Sequence, residues 1–346
     1  MNRKQRIIEY LIKNRKAGSA EIYFNLIKSG ESLTHVTVKR ALAKMAADGI
    51  LTITGKGRAT AYSLTEYGKI TANIDAAIYC LEEPDARFGA DKYNFDLFST
   101  LNFDLFSKVE LDDLNSATEY YCKKTTEVSE AIHKKELERF VIELSWKSSK
   151  IEGNTYTLLD TELLIKEGIQ AAGHSKEEAQ MILNHKDAFD YIYGNQSKFF
   201  NLKLSDLEDV HKILVKGFNV SINLRSGPIG ITGSRYRPLD NKYQIKEAVE
   251  QLMLAIKRMP HGYAQALITL LGISYIQPFE DGNKRTARLV ANGILLANNL
   301  APLSYRNVKE KEYLEATLVF YEINSLVPFK KIFIDQYNFA ARNYLT

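Results

Sequence analysis

The sequence of 346 residues holds only two cysteines, Cys80 and Cys122. Two thiols cannot build the disulfide framework of a small secreted domain, and no cysteine spacing of the metal-binding kind is present. A long apolar run is missing too. The longest stretch without a charged residue, 262–279, is about one bilayer thickness in length, yet Gln265, Gly272, Ser274 and Gln277 interrupt it. A buried core helix is expected there, and no membrane span. The opening MNRKQRIIEYLIKNRK lacks the apolar centre of a signal peptide. These absences together predict a reduced, cytoplasmic setting. Acid is scarce in one region only: residues 1–70 contain thirteen Lys/Arg against five Asp/Glu, whereas the remainder carries 33 basic and 37 acidic residues. A basic first segment on a mildly acidic body calls for an explanation.

Hydrophobic content of 45% and charged content of 25% are ordinary globular values, and the length suggests two or more domains. Within 3–16, Ile7, Ile8, Leu11 and Ile12 share one helical face. Ser19 is placed to cap a second helix containing Ile22, Leu26 and Ile27. After a turn at SGES (29–32), a third helix is predicted from about Thr34 to Ala47, stopped at Gly49. Two β-type runs, 50–54 and 60–65, follow around GKGRA. This order over 1–70 resembles a winged helix-turn-helix domain. The resemblance implies that the third helix enters a DNA major groove with Thr34, His35, Thr37, Lys39, Arg40 and Lys44, while Lys56 and Arg58 on the wing touch the backbone. The alternative is a protein-docking module; the surplus of basic charge favours DNA.

Residues 71–113 have weak periodicity and read as a connector packed on a second domain, with FDLFS occurring twice (95–99 and 103–107) and its Phe residues as anchors. From Leu114 to about Lys150 the pattern is helical without Gly or Pro. SSKIEGN (148–154) then breaks the helix at Gly153-Asn154, leaving Ser148 and Glu152 four apart on one face. By itself this is a helix end with a solvated Glu. Further helices are predicted at about 158–168, 175–194, 204–217 and 243–258. Between the last two, RSGPIGITGSRYRPL (225–239) reads as a β-hairpin flap.

The stretch YIQPFEDGNKRTAR (275–288) joins an apolar helix (262–276) to another (about 284–298). Backbone N–H groups at a helix start favour anions. Arg285 and Arg288 lie three apart on one face, suited to bidentate bonds with a polyphosphate. Asp281 is a hard oxygen ligand suited to Mg²⁺. PFEDGNKRTAR is similar to the signature of Fic-domain (Fido) proteins, H-P-F-x-D/E-G-N-G/K-R-x-x-R. Ser148, Glu152 and Gly153 match the family's inhibitory S/T-x-x-x-E-G/N motif. The resemblance spans roughly 115–345, so a mainly α-helical fold is expected: a Fic domain (114–346) with a small flap and an inhibitory helix at 148–153. It implies transfer of AMP from ATP to a Ser, Thr or Tyr hydroxyl of a protein. In that family Asp281 would hold Mg²⁺, Gly282 and Asn283 the α-phosphate, Arg285 the β-phosphate and Arg288 the γ-phosphate. Glu152 would inhibit in cis by pairing with Arg288. A homodimer stays open.

Two positions depart from the pattern. The family's general base is His, and here it is Gln277, an amide with no usable base near pH 7; positioned general-base catalysis is worth ~10²–10⁴-fold. His261 begins the preceding helix, about 24 Å away at ~1.5 Å per residue, which leaves His185 and His211 as stand-ins. Lys284 occupies a position that is Gly in most AMP-transferring members and resembles the death-on-curing branch, which phosphorylates proteins. Three readings follow: an impaired, self-inhibited AMP transferase, a phosphotransferase, and a nucleotide-sensing DNA-binding regulator.

Overall fold

The computed structural model describes residues 2–101 and 103–344. The expected domain ends at Met1 and Thr346 lie outside the described residues. The chain is mainly helical, with one small antiparallel sheet near its start. It divides into two compact units. The first comprises Met1–Leu101, Gly230–Arg237 and Lys311–Lys330; the second comprises Asn102–Ile229, Pro238–Glu310 and Lys331–Thr346.

In the first unit, α1 (Arg3–Asn14) starts where the Asn2 side chain accepts from the Gln5 amide, and it buries Ile7, Ile8 and Leu11. Strand β1 (Ala17–Gly18) leads into α2 (Ser19–Lys28). The cap of α2 differs from the expectation. Gly18 is the N-cap, and its amide is taken by Glu21 Oε2 at 2.6 Å. Ser19 is the first helical residue, and its hydroxyl instead lies 3.1 Å from His35 Nε2. A carboxylate three residues on satisfies the Gly18 amide better than a serine already inside the turn. Thr34 caps α3 (His35–Ala47), which turns Val38, Leu42 and Met45 inward.

Strands β2 (Leu51–Thr54) and β3 (Ala61–Leu64) pair from Leu51↔Leu64 to Thr54↔Ala61, and β1 adds to the other edge of β3. Two residues are too few for alternation to betray β1 in the sequence. Ala72, Ile74 and Tyr79 join this core, as do Val319 and Ile323 from far along the chain. In both FDLFS copies the Leu-Phe pair (Leu97-Phe98, Leu105-Phe106) is buried; the leading Phe is not, Phe95 being exposed.

The second unit is helical. Where one helix is predicted from 114 to 150, there are two, α4 (Lys108–Glu127) and α5 (Glu130–Ile151). Ser129 makes the break by accepting the Ile132 amide, an N-cap that needs neither Gly nor Pro. Then come α6 (Leu158–Glu167), α7 (Lys176–Gly194), α8 (Leu204–Leu214), α9 (Lys242–Arg258), α10 (Gly262–Ile276) and α11 (Asn283–Ala297). Every residue of α10 except Gln265 is buried, and the helix packs between α9 and α11. Of the two last helices, α12 (Glu310–Ile323) belongs to the first unit from Lys311 on, and α13 (Val327–Asn343) belongs to the second from Lys331 on. Among the described residues, no helix is long and apolar enough to cross a membrane.

Residues 225–239 do not form the predicted hairpin. They make no ladder with one another, and their one bridge pairs Arg237 with Lys92. Pro228 and Pro238 each remove a ladder donor, and the neck is closed by the Gly227 amide on the Asp240 carbonyl at 2.8 Å.

Candidate functional site

Gln277 ends α10 in a left-handed conformation, φ 52 and ψ 60. Its side chain is engaged at both ends: Nε2 donates to the Ser274 carbonyl at 2.7 Å, and Oε1 accepts from Asn283 Nδ2 at 3.0 Å. Asn283 in turn accepts from the Phe279 amide and donates to the Phe279 carbonyl, both at 2.8 Å. One buried amide thus ties the loop from 277 to 283 across its base. Gly282, at φ +76, supplies the left-handed turn that starts α11.

Two residues outside the loop hold it. Arg225 is buried, and its guanidinium donates to the carbonyls of Gln277 and Gly227 at 2.6 Å each. His211 on α8 lies flat on Phe279, centroids 3.7 Å apart and planes 3° apart, with Nε2 3.0 Å from the Asp281 carbonyl. Burial pulls the His211 pKa down to about 4, so the ring is neutral at pH 7. Sequence reasoning gave neither residue this role. Arg225 lies 52 positions from Gln277, and no local pattern announces a side chain that serves another loop's carbonyls.

The α11 N-terminus faces this loop, with amides that lack intrahelical acceptors. Arg285 is buried; its Nη2 lies 3.1 Å from Asp281 Oδ2, while its Nη1 has no protein partner. Burial lowers the Arg285 pKa. The Asp281 side chain is 67% exposed. One turn further, Arg288 is fully enclosed. Its Nε donates to Ser148 Oγ at 2.8 Å and its Nη2 to the Ser148 carbonyl at 2.9 Å. Nη2 also meets Glu152 Oε1 at 2.8 Å, and Lys284 Nζ meets Glu152 Oε2 at 2.9 Å.

Glu152 is aimed by its own helix end. It is the C-cap of α5, Gly153 follows at φ +95, and the amides of Gly153 and Asn154 return to the carbonyls of Lys150 and Ser149. That is a Schellman closure, which favours glycine after the cap residue. The carboxylate is only 17% exposed. Burial would raise its pKa, but Arg288 and then Lys284 outweigh this and hold it down at about 2.

Neither stand-in is free for the reaction: His211 is stacked on Phe279 with Nε2 on the Asp281 carbonyl. His185 on α7 is fully buried with neither ring nitrogen partnered, and burial, aided by the charges of Arg288 and Arg285, holds its pKa well below the usual value. His261 accepts from the Ala264 amide as the cap of α10 and reaches Asp104 at 3.0 Å.

The residues named for DNA contact lie in the first unit. Lys39, Arg40, Lys44, Lys56 and Arg58 are exposed and form no ion pair with any described residue. Thr34, Thr37 and His35 are committed locally. Thr34 caps α3, its hydroxyl lies 3.0 Å from that of Thr37, and His35 sits against Tyr23 and Ser19.

A cluster of cations at a helix start is thus closed by a glutamate from 136 positions upstream. Residues 201–295 match the model of the Fic/DOC family. A protein adenylyltransferase Fic of Nematostella vectensis is 26% identical over 184 residues, which cover 49% of this chain and 41% of that protein. The chain therefore spans about two-fifths of that relative's length. Among solved structures, Fic-1 (residues 134–508) of Caenorhabditis elegans superposes with a TM-score of 0.60 at 18% identity, covering 68% of this chain and 72% of the other. A Fic domain-containing signalling protein of Bacteroides thetaiotaomicron gives 0.56 at 19%, covering 66% and 94%. At these identities the structural matches speak for the fold.

Proposed function

We propose that the second unit is an ATP-binding Fic domain in a self-inhibited state, with AMP transfer to a protein hydroxyl as its ancestral activity and catalysis impaired by Gln277. The observation that carries this reading is the pairing of one carboxylate, Glu152, with both Arg288 and Lys284. A carboxylate held by two cations beside a helix start occupies the place a phosphate group would take. The residues suit a nucleotide. Arg285 Nη1 is a buried donor still lacking an acceptor. Gly282 and Asn283 would present the α-phosphate amides, Arg285 and Lys284 would hold the next phosphate, and Arg288, once released by Glu152, would hold the last. Asp281, being exposed, would share Mg²⁺ with the phosphates; the ion's contribution is neutralisation of charge on them. Because Glu152 extends from α5 of the same chain, inhibition would act in cis.

Gln277 supports the claim of impairment. Both ends of its amide are spent on Ser274 and Asn283, so it acts as a loop tie and cannot accept a proton from a target hydroxyl. The test is the variant Gln277→His with Glu152→Gly, incubated with Mg²⁺ and ATP labelled at either the α- or the γ-phosphate. The account expects labelled protein from α-label and none from γ-label. The reverse pattern would establish the phosphotransferase reading that Lys284 motivates. Loss of both labels in a folded, ATP-binding variant would remove the transferase assignment.

A second reading, nucleotide sensing coupled to DNA binding, is favoured by the exposed, unpaired Lys39, Arg40, Lys44, Lys56 and Arg58 in a winged-helix arrangement. Such a face supplies phosphate affinity.

A further inference from the structure

The first unit carries an open cleft of about 460 Å³ whose lining residues all belong to that unit. This is well within the roughly 300–1,000 Å³ typical of small-molecule sites. The end of α1, strand β3, residues 88–94 and residues 322–324 supply its walls. Much of the lining is apolar or aromatic, with Leu11 from α1, Leu64 from β3 and Phe88 and Tyr93 from 88–94.

The charge on these walls is one-sided. Three cations line the cleft, Arg15, Lys69 and Lys92, against one acid, Glu322. That acid is already spent. Its carboxylate accepts from Tyr79 Oη at 2.6 Å, Ser234 Oγ at 2.7 Å and Arg87 Nη1 at 2.9 Å. Lys69 is shared with Glu66 at 2.6 Å. Arg15 and Lys92 are exposed and make no ion pair with a described residue. Arg15 also lines the cleft from a backbone at φ 62 and ψ −46, a conformation that arginine seldom adopts and that tends to be kept where a side chain must be aimed. A cleft with apolar walls, two unmatched cations and no available carboxylate discriminates against cationic ligands and favours anionic ones.

We propose that this cleft binds a small organic anion with a flat apolar body, its charged head held by Arg15 and Lys92 and its body against Phe88, Tyr93 and Leu64. Carboxylate and phosphate heads share the chemistry those two cations recognise. The site is separate from the loop at 277–288 and does not depend on the function proposed for it.

The full-length protein is titrated calorimetrically with 1-naphthoate, 1-naphthyl phosphate and the neutral 1-naphthamide. The proposal expects one or both anions to bind at least about tenfold tighter than the amide, and the stronger of the two identifies the head group. Arg15→Met with Lys92→Met should erase that preference while leaving the melting temperature unchanged, because both side chains are on the surface. Ser63→Phe, which projects a ring from β3 into the cleft, should abolish binding altogether. Equal affinity for anion and amide, no binding of either anion at millimolar concentration, or an anion preference that survives the double substitution would each overturn it.

Discussion

Two glutamates, Glu322 in the first unit and Glu152 in the second, tie together segments far apart in the sequence, and they differ in the kind of partner they have. Glu322 in the first unit is fully enclosed and accepts from a tyrosine, a serine and Arg87, which lies 235 positions away. Glu152 in the second unit is 17% exposed, and its carboxylate meets only cations, Arg288 and Lys284. The hydroxyl donors on Glu322 are fixed by the fold and have no reason to seek another acceptor. The cations on Glu152 would serve a phosphate equally well. The first arrangement is a structural tie, and the second is, on the function proposed above, an exchangeable one.

The largest expected effect lies on the structural side. Glu322→Gln leaves Arg87 buried beside a neutral amide, and should cost about 3–5 kcal/mol in chemical denaturation. Nucleotide affinity measured below the transition should not change. If Glu322→Gln weakened ATP binding without loss of stability, the division of labour would fail.

Acid titration comes next. The Glu152 carboxyl has a pKa of about 2 when folded, against 4.5 when free. Its contribution is therefore complete above pH 4.5 and lost as pH falls towards 2, on the order of 3 kcal/mol. His211 acts over a different window. Its folded pKa of about 4 lies below the free value of 6.5, so the unfolded chain gains the proton first and stability declines as pH falls from 6.5 to 4. Glu152→Gln should flatten only the lower limb of a stability–pH curve, and a change confined to the upper limb would contradict the assignment.

The smallest effect is on the basic face. Lys39→Ala with Arg40→Ala should weaken DNA binding about tenfold at moderate salt and reduce the slope of log K against log salt by roughly two. Unchanged binding in gel shifts over a salt series would return α3 to protein docking.

Much of this comparison could be read from the residues. The helix start at Thr34, the inward face of α1 and the core character of α10 follow from capping chemistry and periodicity, which act over a few residues. The motif spacing at 148–153 and 281–288 marked the chain segments whose side chains meet in the second unit. Contacts set by tertiary packing were not legible. Arg225 on the Gln277 carbonyl, His211 against Phe279 and Tyr79 on Glu322 join positions with no shared local pattern. The break at Ser129 and the irregular course of 225–239 were missed for a simpler reason. A serine cap inside a helical pattern and a Gly/Pro-rich run with β-type residues each permit two local structures, and packing chooses between them.

The exchangeable nature of the Glu152 tie is tested most directly by calorimetric titration of Mg²⁺-ATP into the full-length protein and into Glu152→Gly. Freeing Arg288 and Lys284 should raise affinity at least about tenfold, corresponding to roughly 1.4 kcal/mol, with Glu322→Gln as an unaffected control. Equal affinity in the two proteins, or no binding by a folded Glu152→Gly variant, would contradict the account.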